Sequence, residues 1–130
     1  MDGINVWAVL VAAVSAFVLG GLWYSPMLFG TRWNLDAGMT KEKAGHPGRV
    51  FAVAFVFALI AAAAFAWLVG PDPSVREALH KALLVGAAFV ATSFGINYQF
   101  ANRPVTMWLI DAGYHLLQFV LYALVLAYWP

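Results

Sequence analysis

The chain has 130 residues, of which 64% are hydrophobic and 10% are charged, and its formal net charge is +1. An average soluble domain has about 25% charged residues, and a small soluble fold cannot bury this much apolar surface. The composition therefore excludes a soluble enzyme domain, a nucleic-acid-binding protein and a disordered chain, and it leaves an integral membrane protein. Because the chain has no cysteine, disulfides and thiolate chemistry are excluded too.

Four apolar runs predict a single all-α transmembrane domain, residues 1–130, folded as a four-helix bundle in the lipid bilayer. A membrane-spanning helix needs roughly 20 residues, and the runs place spans at about 4–24, 50–69, 77–100 and 105–129. No Lys or Arg precedes the first run. A secretory signal has a positively charged start, so we expect this run to remain as the first span.

A short helix at the membrane surface is predicted after the first span. Ser25 and Pro26 resemble a helix N-cap followed by proline at the first helical position. The apolar residues Met27, Leu28 and Phe29 follow, with Trp33 one turn later. This pattern is typical of a helix that lies in the interface.

Two further breaks separate the remaining spans. Residues 70–73, Gly-Pro-Asp-Pro, form a turn signal. Ser74 follows, and with Glu77 it matches a capping box at the start of the third helix. Asn102, Arg103 and Pro104 end that helix and precede the fourth.

The positive residues predict an orientation, since cytoplasmic loops are enriched in Lys and Arg. One side of the predicted bundle carries five of them and the other side two. This imbalance places the first and third connections in the cytoplasm and both termini outside. The five are Arg32, Lys41, Lys43, Arg49 and Arg103, and the two are Arg76 and Lys81.

Small residues recur every four positions on two spans and predict close helix crossings. They are Ala12, Ala16 and Gly20 on the first span, and Ala54, Ala58, Ala62 and Ala66 on the second. The alternative is the general abundance of alanine in membrane helices. A short similarity also links residues 21–24, Gly-Leu-Trp-Tyr, to residues 95–98, Gly-Ile-Asn-Tyr. Two helical hairpins of similar design would produce it.

One face of the fourth span carries polar side chains. Asp111 and His115 are four residues apart, Gln118 follows three later and Tyr122 four after that, a spacing that shares one helix face. At 1.5 Å per residue, His115 lies roughly 16 Å from Pro104, near the bilayer centre. A charge inside a membrane costs about 2.5 kcal/mol or more, so Asp111 should face the bundle and have a partner.

Three interpretations of this polar stripe stay open. Asp111 accepts a hydrogen bond from His115 or from another helix and holds a bundle or an oligomer together. Alternatively, the stripe binds or conducts a small polar solute or protons, with His115 titrating because imidazole has the pKa nearest neutral pH. A metal site is the third, but zinc needs three or four protein ligands, and His46 and His80 lie in loops on opposite predicted sides. We therefore predict no metal and no other cofactor.

Candidate partners for the stripe lie on the third span. Ser93 and Asn97 are four residues apart and share a face. Antiparallel packing would place Asn97 at the depth of Asp111 and Ser93 nearer to His115. Ser93, His115 and Asp111 are also the residue types of a hydrolase, but Ser93 lacks the strand-turn-helix context of a nucleophile elbow. We expect no enzyme activity.

Residues near the ends of the spans are further candidates. Tyr24 and Ser25 could complete a polar pocket, or serve as an aromatic anchor and a helix cap. Arg103 could reach Asp111 only by folding back toward the membrane, so we expect its side chain to contact lipid headgroups.

Two blocks of sequence resemble a known family. Residues 20–30, GGLWYSPMLFG, with Trp33 after them, resemble the opening motif of the domain of unknown function 1761 (DUF1761) family. Residues 97–100, NYQF, Arg103-Pro104 and residues 110–115, IDAGYH, resemble it also. The resemblance covers nearly the whole chain and implies a small four-span protein, mainly bacterial, in the inner membrane. It implies no established activity.

The resemblance also implies which residues belong to the shared pattern: Trp23, Tyr24, Pro26, Asn97, Arg103, Asp111 and Tyr114. The predicted site therefore comprises Asp111, His115, Gln118, Asn97, Ser93, Tyr24, Tyr114 and Arg103. Two functions are compatible with it. One is binding or conduction of a small polar solute or protons; the other is a non-catalytic structural or accessory subunit of a homo-oligomer or larger membrane complex, with no nucleic-acid partner.

Overall fold

The computed structural model describes residues 4–130, and every regular element in that range is helical. The elements are α1 (Val6–Trp23), α2 (Gly30–Ala37), α3 (Pro47–Val69), α4 (Val75–Leu83), a π-helical segment (Leu84–Ala91), α5 (Thr92–Phe100) and α6 (Val105–Tyr128).

Four helices are long and apolar enough to cross a membrane. They are Val6–Trp23, Pro47–Val69, Val75–Phe100 and Val105–Tyr128. The third is one continuous helix made of α4, the π-helical segment and α5. The predicted four-helix membrane bundle is confirmed, and each span lies close to its predicted bounds.

The last helix, α6, is the centre of the bundle. It packs against α1, α2, α3 and each part of the third span, whereas α3 packs mainly against α1 and α6. In the 18-residue stretches that best fit a membrane span, α6 buries 39% of its residues and the third span only 17%. Residues of α6 that point inward are therefore surrounded by several elements.

Alanine makes up much of the bundle core. Ala12 and Ala16 of α1 and Ala62 of α3 are fully buried, as expected if small side chains let the backbones approach closely. The predicted small-residue contacts form in the half of the bundle where α1 begins and α3 ends. Ala54 is exposed, so the predicted stripe on α3 does not continue to its first turns.

The segment between α1 and α2 differs from the prediction. Ser25 is not an N-cap: its hydroxyl donates to the carbonyl of Leu22 at 2.7 Å, so it closes the end of α1. Residues 25–29 form a tight turn, and α2 begins only at Gly30. A Cβ on Gly30 would lie 2.0 Å from the carbonyl oxygen of Tyr24. The chain turns back too closely for the helix to start at Pro26.

The other predicted breaks are present. Gly70 has a φ of +79° and Asp72 a φ of +48°, which turn the chain after α3. The Ser74 hydroxyl accepts a hydrogen bond from the Glu77 amide at 3.1 Å and caps α4. Asn102, with a φ of +55°, separates α5 from α6.

The π-helical segment in the middle of the third span was not predicted. Its i→i+5 bonding widens the helix, and such segments are rare. Gly86 within it approaches α6 closely, since a Cβ there would lie 3.0 Å from the Cα of Leu116. Side chains bond the backbone carbonyls around it: Thr92 donates to Ala88 and Phe89, and the Trp108 indole donates to Ala91 at 2.8 Å. Such bonds satisfy irregular backbone inside a membrane.

Candidate functional site

Asp111 accepts three hydrogen bonds, each from a different part of the chain. The Tyr24 hydroxyl, just after α1, donates to Oδ1 at 2.5 Å. The Tyr98 hydroxyl of α5 and the Trp33 indole of α2 donate to Oδ2, the latter at 3.2 Å. Asp111 is 5% exposed. All three partners donate, which matches a carboxylate, a group that only accepts.

This Asp111 cluster (Asp111, Tyr24, Trp33 and Tyr98) contains no cation. Among residues 4–130, the one ion pair within 4 Å joins Arg32 to Asp36. The carboxylate is therefore stabilised by neutral donors. Burial, and then the hydrogen bond to Asp111, raise the pKa of Tyr24 above its usual value, so this hydroxyl stays protonated and available as a donor.

The short helix α2 is fixed over the cluster by a second set of contacts. The side chain of Asp36 is 5% exposed; it pairs with Arg32 at 3.1 Å and accepts a hydrogen bond from Thr106 in the first turn of α6. Trp33 lies between Arg32 and Asp36 in the sequence, one turn from each end of α2. These contacts hold the Trp33 indole on Asp111.

A second polar chain begins one turn further along α6. Nδ1 of His115 lies 2.6 Å from Oε1 of Gln118, the Gln118 amide donates to the Tyr122 hydroxyl at 2.8 Å, and that hydroxyl donates to the carbonyl of Ala58 on α3 at 3.0 Å. The imidazole stacks on Phe94 of α5, with ring centroids 4.9 Å apart. His115 bonds Gln118 and not Asp111, so the predicted stripe is divided into two networks.

Aromatic residues pack α1 onto α6 beside the cluster. The Tyr114 hydroxyl donates to the carbonyl of Ala16 at 3.0 Å, and its ring lies against Gly20. The Trp23 indole donates to the carbonyl of Ile110 at 2.9 Å. Trp23, the last residue of α1, is thus bonded within the bundle.

Ser93 and Asn97 do not lie where the sequence predicted. Both side chains are exposed. The Ser93 hydroxyl donates to the carbonyl of Phe89 on its own helix at 2.7 Å, as serine commonly does within helices. The neighbouring aromatic residues Phe94 and Tyr98 face α6 instead. The wider turns of the π-helical segment before Thr92 also change the face that α5 presents to α6, relative to a continuous α-helix.

Arg103 lies near the cluster without bonding Asp111. Its exposed guanidinium is 3.4 Å from the carbonyl of Ala37, the last residue of α2. Cations are favourable at the C-terminus of a helix. The prediction that Arg103 does not fold back onto Asp111 agrees with this position.

Trp33 and Tyr98 are the members of the cluster that were not among the predicted site residues. The similarity between residues 21–24 and 95–98 aligns Tyr24 with Tyr98, and these are the two hydroxyls that flank Asp111. That similarity was the signal for Tyr98. No spacing pattern indicated that α2 would bring Trp33 back over the bundle.

Two clefts lie at the opposite end of the bundle from Asp111. One, of about 330 Å³, lies between the start of α1 and the turn after α3. The other, of about 450 Å³, is lined by apolar residues of α1 and α3. In the part of the chain that the structure describes, no group of three or more His, Asp or Glu side chains could hold a metal ion.

Comparison with known families assigns the chain. The model of a family described as "Protein of unknown function (DUF1761)" matches residues 7–127, which is nearly the whole chain. The chain belongs to the DUF1761 family. Searches of curated proteins and of solved structures found no match.

The residues that carried the resemblance to DUF1761 meet in space. The first block supplies Tyr24 and Trp33, and the second supplies Tyr98 and Asp111. Gly30, also from the first block, allows the turn that returns α2 over the cluster. The sequence blocks that resemble DUF1761 therefore build one hydrogen-bonded centre, although they are about 70 residues apart in the chain.

Proposed function

We propose that this DUF1761 protein is a non-catalytic multi-pass protein of the bacterial inner membrane that serves as a structural or accessory subunit of a homo-oligomer or larger membrane complex. In this proposal the Asp111 cluster is a structural centre, which joins α1, α2, the third span and α6 at one end of the bundle. The observation that carries it is the closed geometry of Asp111: two phenols and one indole from three elements donate to a carboxylate that is 5% exposed.

The same geometry argues against Asp111 as the binding group of a solute pathway. A solute would have to replace at least one of three donors, and each donor is itself held by packing. Tyr24 contacts the rings of Trp33 and Tyr114, and Tyr98 contacts Phe94. Replacing a hydrogen bond to a charged group costs about 1.5–3 kcal/mol. The clefts at the other end of the bundle do not include Asp111.

Proton flux into proteoliposomes separates the structural role from conduction. We expect the wild type, Asp111→Asn and His115→Ala to give the same flux as protein-free vesicles. Tyr128→Phe, at a site 71% exposed, is the matched control for the effect of a substitution on reconstitution. A flux in the wild type that both Asp111→Asn and His115→Ala abolish, with Tyr128→Phe unchanged, would overturn the structural proposal and support conduction.

Native mass measurement in mild detergent tests the accessory role. The third span buries only 17% of its residues in the stretch that best fits the membrane, which leaves a large surface for lipid or for another helix. We expect a species that contains more than one copy of the chain or a second protein. A lone chain with bound lipid only would contradict this part of the proposal.

The proposed orientation places the basic end of the bundle in the cytoplasm. Arg32, Lys41, Lys43, Arg49 and Arg103 all lie in or beside the connections at that end. Because the chain has no cysteine, single substitutions report on each side. Asp72→Cys should react with an impermeant maleimide in intact cells, and Lys43→Cys only after permeabilisation. The opposite pattern would reverse the orientation.

A further inference from the structure

His115 carries a nitrogen that the hydrogen-bond network leaves free. Its Nδ1 bonds Gln118, and Nε2 has no hydrogen-bond partner among residues 4–130. The structure has no fully buried side-chain nitrogen or oxygen without a partner in that range, so Nε2 is not fully buried. The side chain is half-buried between Phe94 and Tyr114.

The direction of the polar chain follows from its last member. The carbonyl of Ala58 can only accept, so the Tyr122 hydroxyl, 3.0 Å away, must donate to it. The Tyr122 oxygen then accepts from the Gln118 amide nitrogen. This orientation turns Oε1 of Gln118 toward His115, and Nδ1 must therefore carry the proton.

From this order of donors we infer that His115 is a proton-binding site in the fourth span, and that the accepting atom is Nε2. In the neutral imidazole one nitrogen donates and the other accepts. With Nδ1–H committed to Gln118, the lone pair is on Nε2. Uptake of a proton there forms an imidazolium and breaks no bond in the chain from His115 to Ala58. This goes beyond the proposed structural role of Asp111, since it assigns a ligand, the proton, to the second network.

The charges around His115 favour such a site. On α6, Asp111 is one turn away, and Tyr114 and Tyr122 are the other titratable groups on the face that carries His115. The neighbouring elements present Tyr24 and Tyr98, both of which donate to Asp111. The π-helical segment has no titratable residue. Among the described residues that face His115, the one carboxylate is that of Asp111, one turn away on α6. A nearby opposite charge stabilises a cation, and it offsets part of the cost of about 2.5 kcal/mol or more for a charge inside a membrane.

Nitrogen-15 NMR of labelled histidine in nanodiscs tests the assignment directly. His46→Asn, which keeps a capping side chain at the start of α3, and His80→Gln leave His115 as the only histidine. We expect a neutral ring with a proton on Nδ1 and none on Nε2, and, on acidification of the folded protein, gain of a proton at Nε2 while Nδ1 stays protonated. A neutral ring protonated at Nε2, or a ring that gains no proton at Nε2 while the protein stays folded, would overturn the inference.

Substitutions at Gln118 provide a second measurement in the same single-histidine chain. Gln118→Glu keeps an acceptor for Nδ1–H and should retain the Nδ1–H form. Gln118→Leu removes the acceptor, and we expect the Nε2–H form to become populated. An unchanged tautomer in Gln118→Leu would show that the chain to Ala58 does not orient the ring. If the double histidine substitution does not fold, the wild-type spectrum is assigned by the signals lost in His115→Gln.

Discussion

Replacing Asp111 by leucine should destabilise the bundle much more than replacing it by asparagine. Asparagine can keep its carbonyl oxygen toward Trp33 and Tyr98 and donate its amide to Tyr24, whose hydroxyl can accept as well as donate. Three charge-assisted bonds become neutral at a loss of about 1 kcal/mol each, and removal of the buried charge recovers about 2.5 kcal/mol. The net change for asparagine is therefore within about 1 kcal/mol.

Leucine leaves all three donors of the cluster without an acceptor. A buried donor without a partner costs about 1–3 kcal/mol, so three cost about 6 kcal/mol at the middle of that range. After the charge is removed, the net loss is about 3–4 kcal/mol. Leucine would be more stable than asparagine at position 111 if burial of the Asp111 charge costs more than its three hydrogen bonds contribute, because apolar replacement of buried charges is often stabilising.

Reversible unfolding in mixed micelles, followed by circular dichroism, measures both free energies. Tyr98→Phe gives a second comparison: it should cost about 1–2 kcal/mol in the wild type and be stabilising in the Asp111→Leu background, where it removes an unpaired donor. Tyr128→Phe is the control and should change the free energy of unfolding by less than about 0.5 kcal/mol. Leucine at 111 as stable as asparagine, or the same cost for Tyr98→Phe in both backgrounds, would refute the reasoning.

Three further predictions concern the surroundings of the cluster. Gly30→Ala should destabilise the fold by about 1–3 kcal/mol or more, because its Cβ would meet the Tyr24 carbonyl at 2.0 Å. Gly21→Ala is the control: a Cβ there meets nothing within 4 Å, so it should be neutral or stabilising in the same unfolding assay. Equal effects of the two substitutions would contradict this reasoning. Trp33→Phe should increase hydrogen exchange in residues 30–37 and leave α3 unchanged, while unchanged protection of α2 would mean that Asp36 and Thr106 hold it alone. The raised pKa of Tyr24 means that its contribution to stability is fully present below about pH 10, the pKa of an unfolded tyrosine. That contribution is lost as the pH rises toward the higher pKa in the folded protein, because the unfolded chain releases the proton first. Free energies of unfolding at about pH 9 and about pH 11 should therefore differ less in Tyr24→Phe than in the wild type, and an equal difference would count against the buried hydroxyl.

The sequence predicted the spans well, because length and hydropathy decide them and packing does not. Charge also isolated Asp111, since the other charged residues lie near span ends or in connections. The partners were harder to predict. Ser93 and Asn97 were chosen for polarity, but in this structure aromatic hydroxyl and indole groups donate to the carboxylate while their rings remain in apolar surroundings.

Two local features account for most of the difference between the predicted site residues and those that contact Asp111 in the structure. The π-helical segment changes the face that the third span presents, and neither composition nor a 100° repeat indicates it. The turn at Gly30 brings Trp33 back over α6, which requires a backbone contact between residues that are close in sequence but belong to different elements. The position of Ser25 depends on the same turn. The wrong N-cap prediction for Ser25 and the omission of Trp33 from the predicted site therefore have one cause.

The order in which the chain is made bears on the Asp111 cluster. Tyr24 and Trp33 are 87 and 78 residues before their acceptor in the sequence, so both enter the membrane region long before Asp111 exists. If helices insert first and associate later, the first three spans precede the carboxylate, and Asp111 enters the bilayer only when its donors are already there. A truncated chain that ends before α6 would leave α2 unanchored at the membrane surface. Completion of the last helix is thus the step that fixes this segment over the bundle.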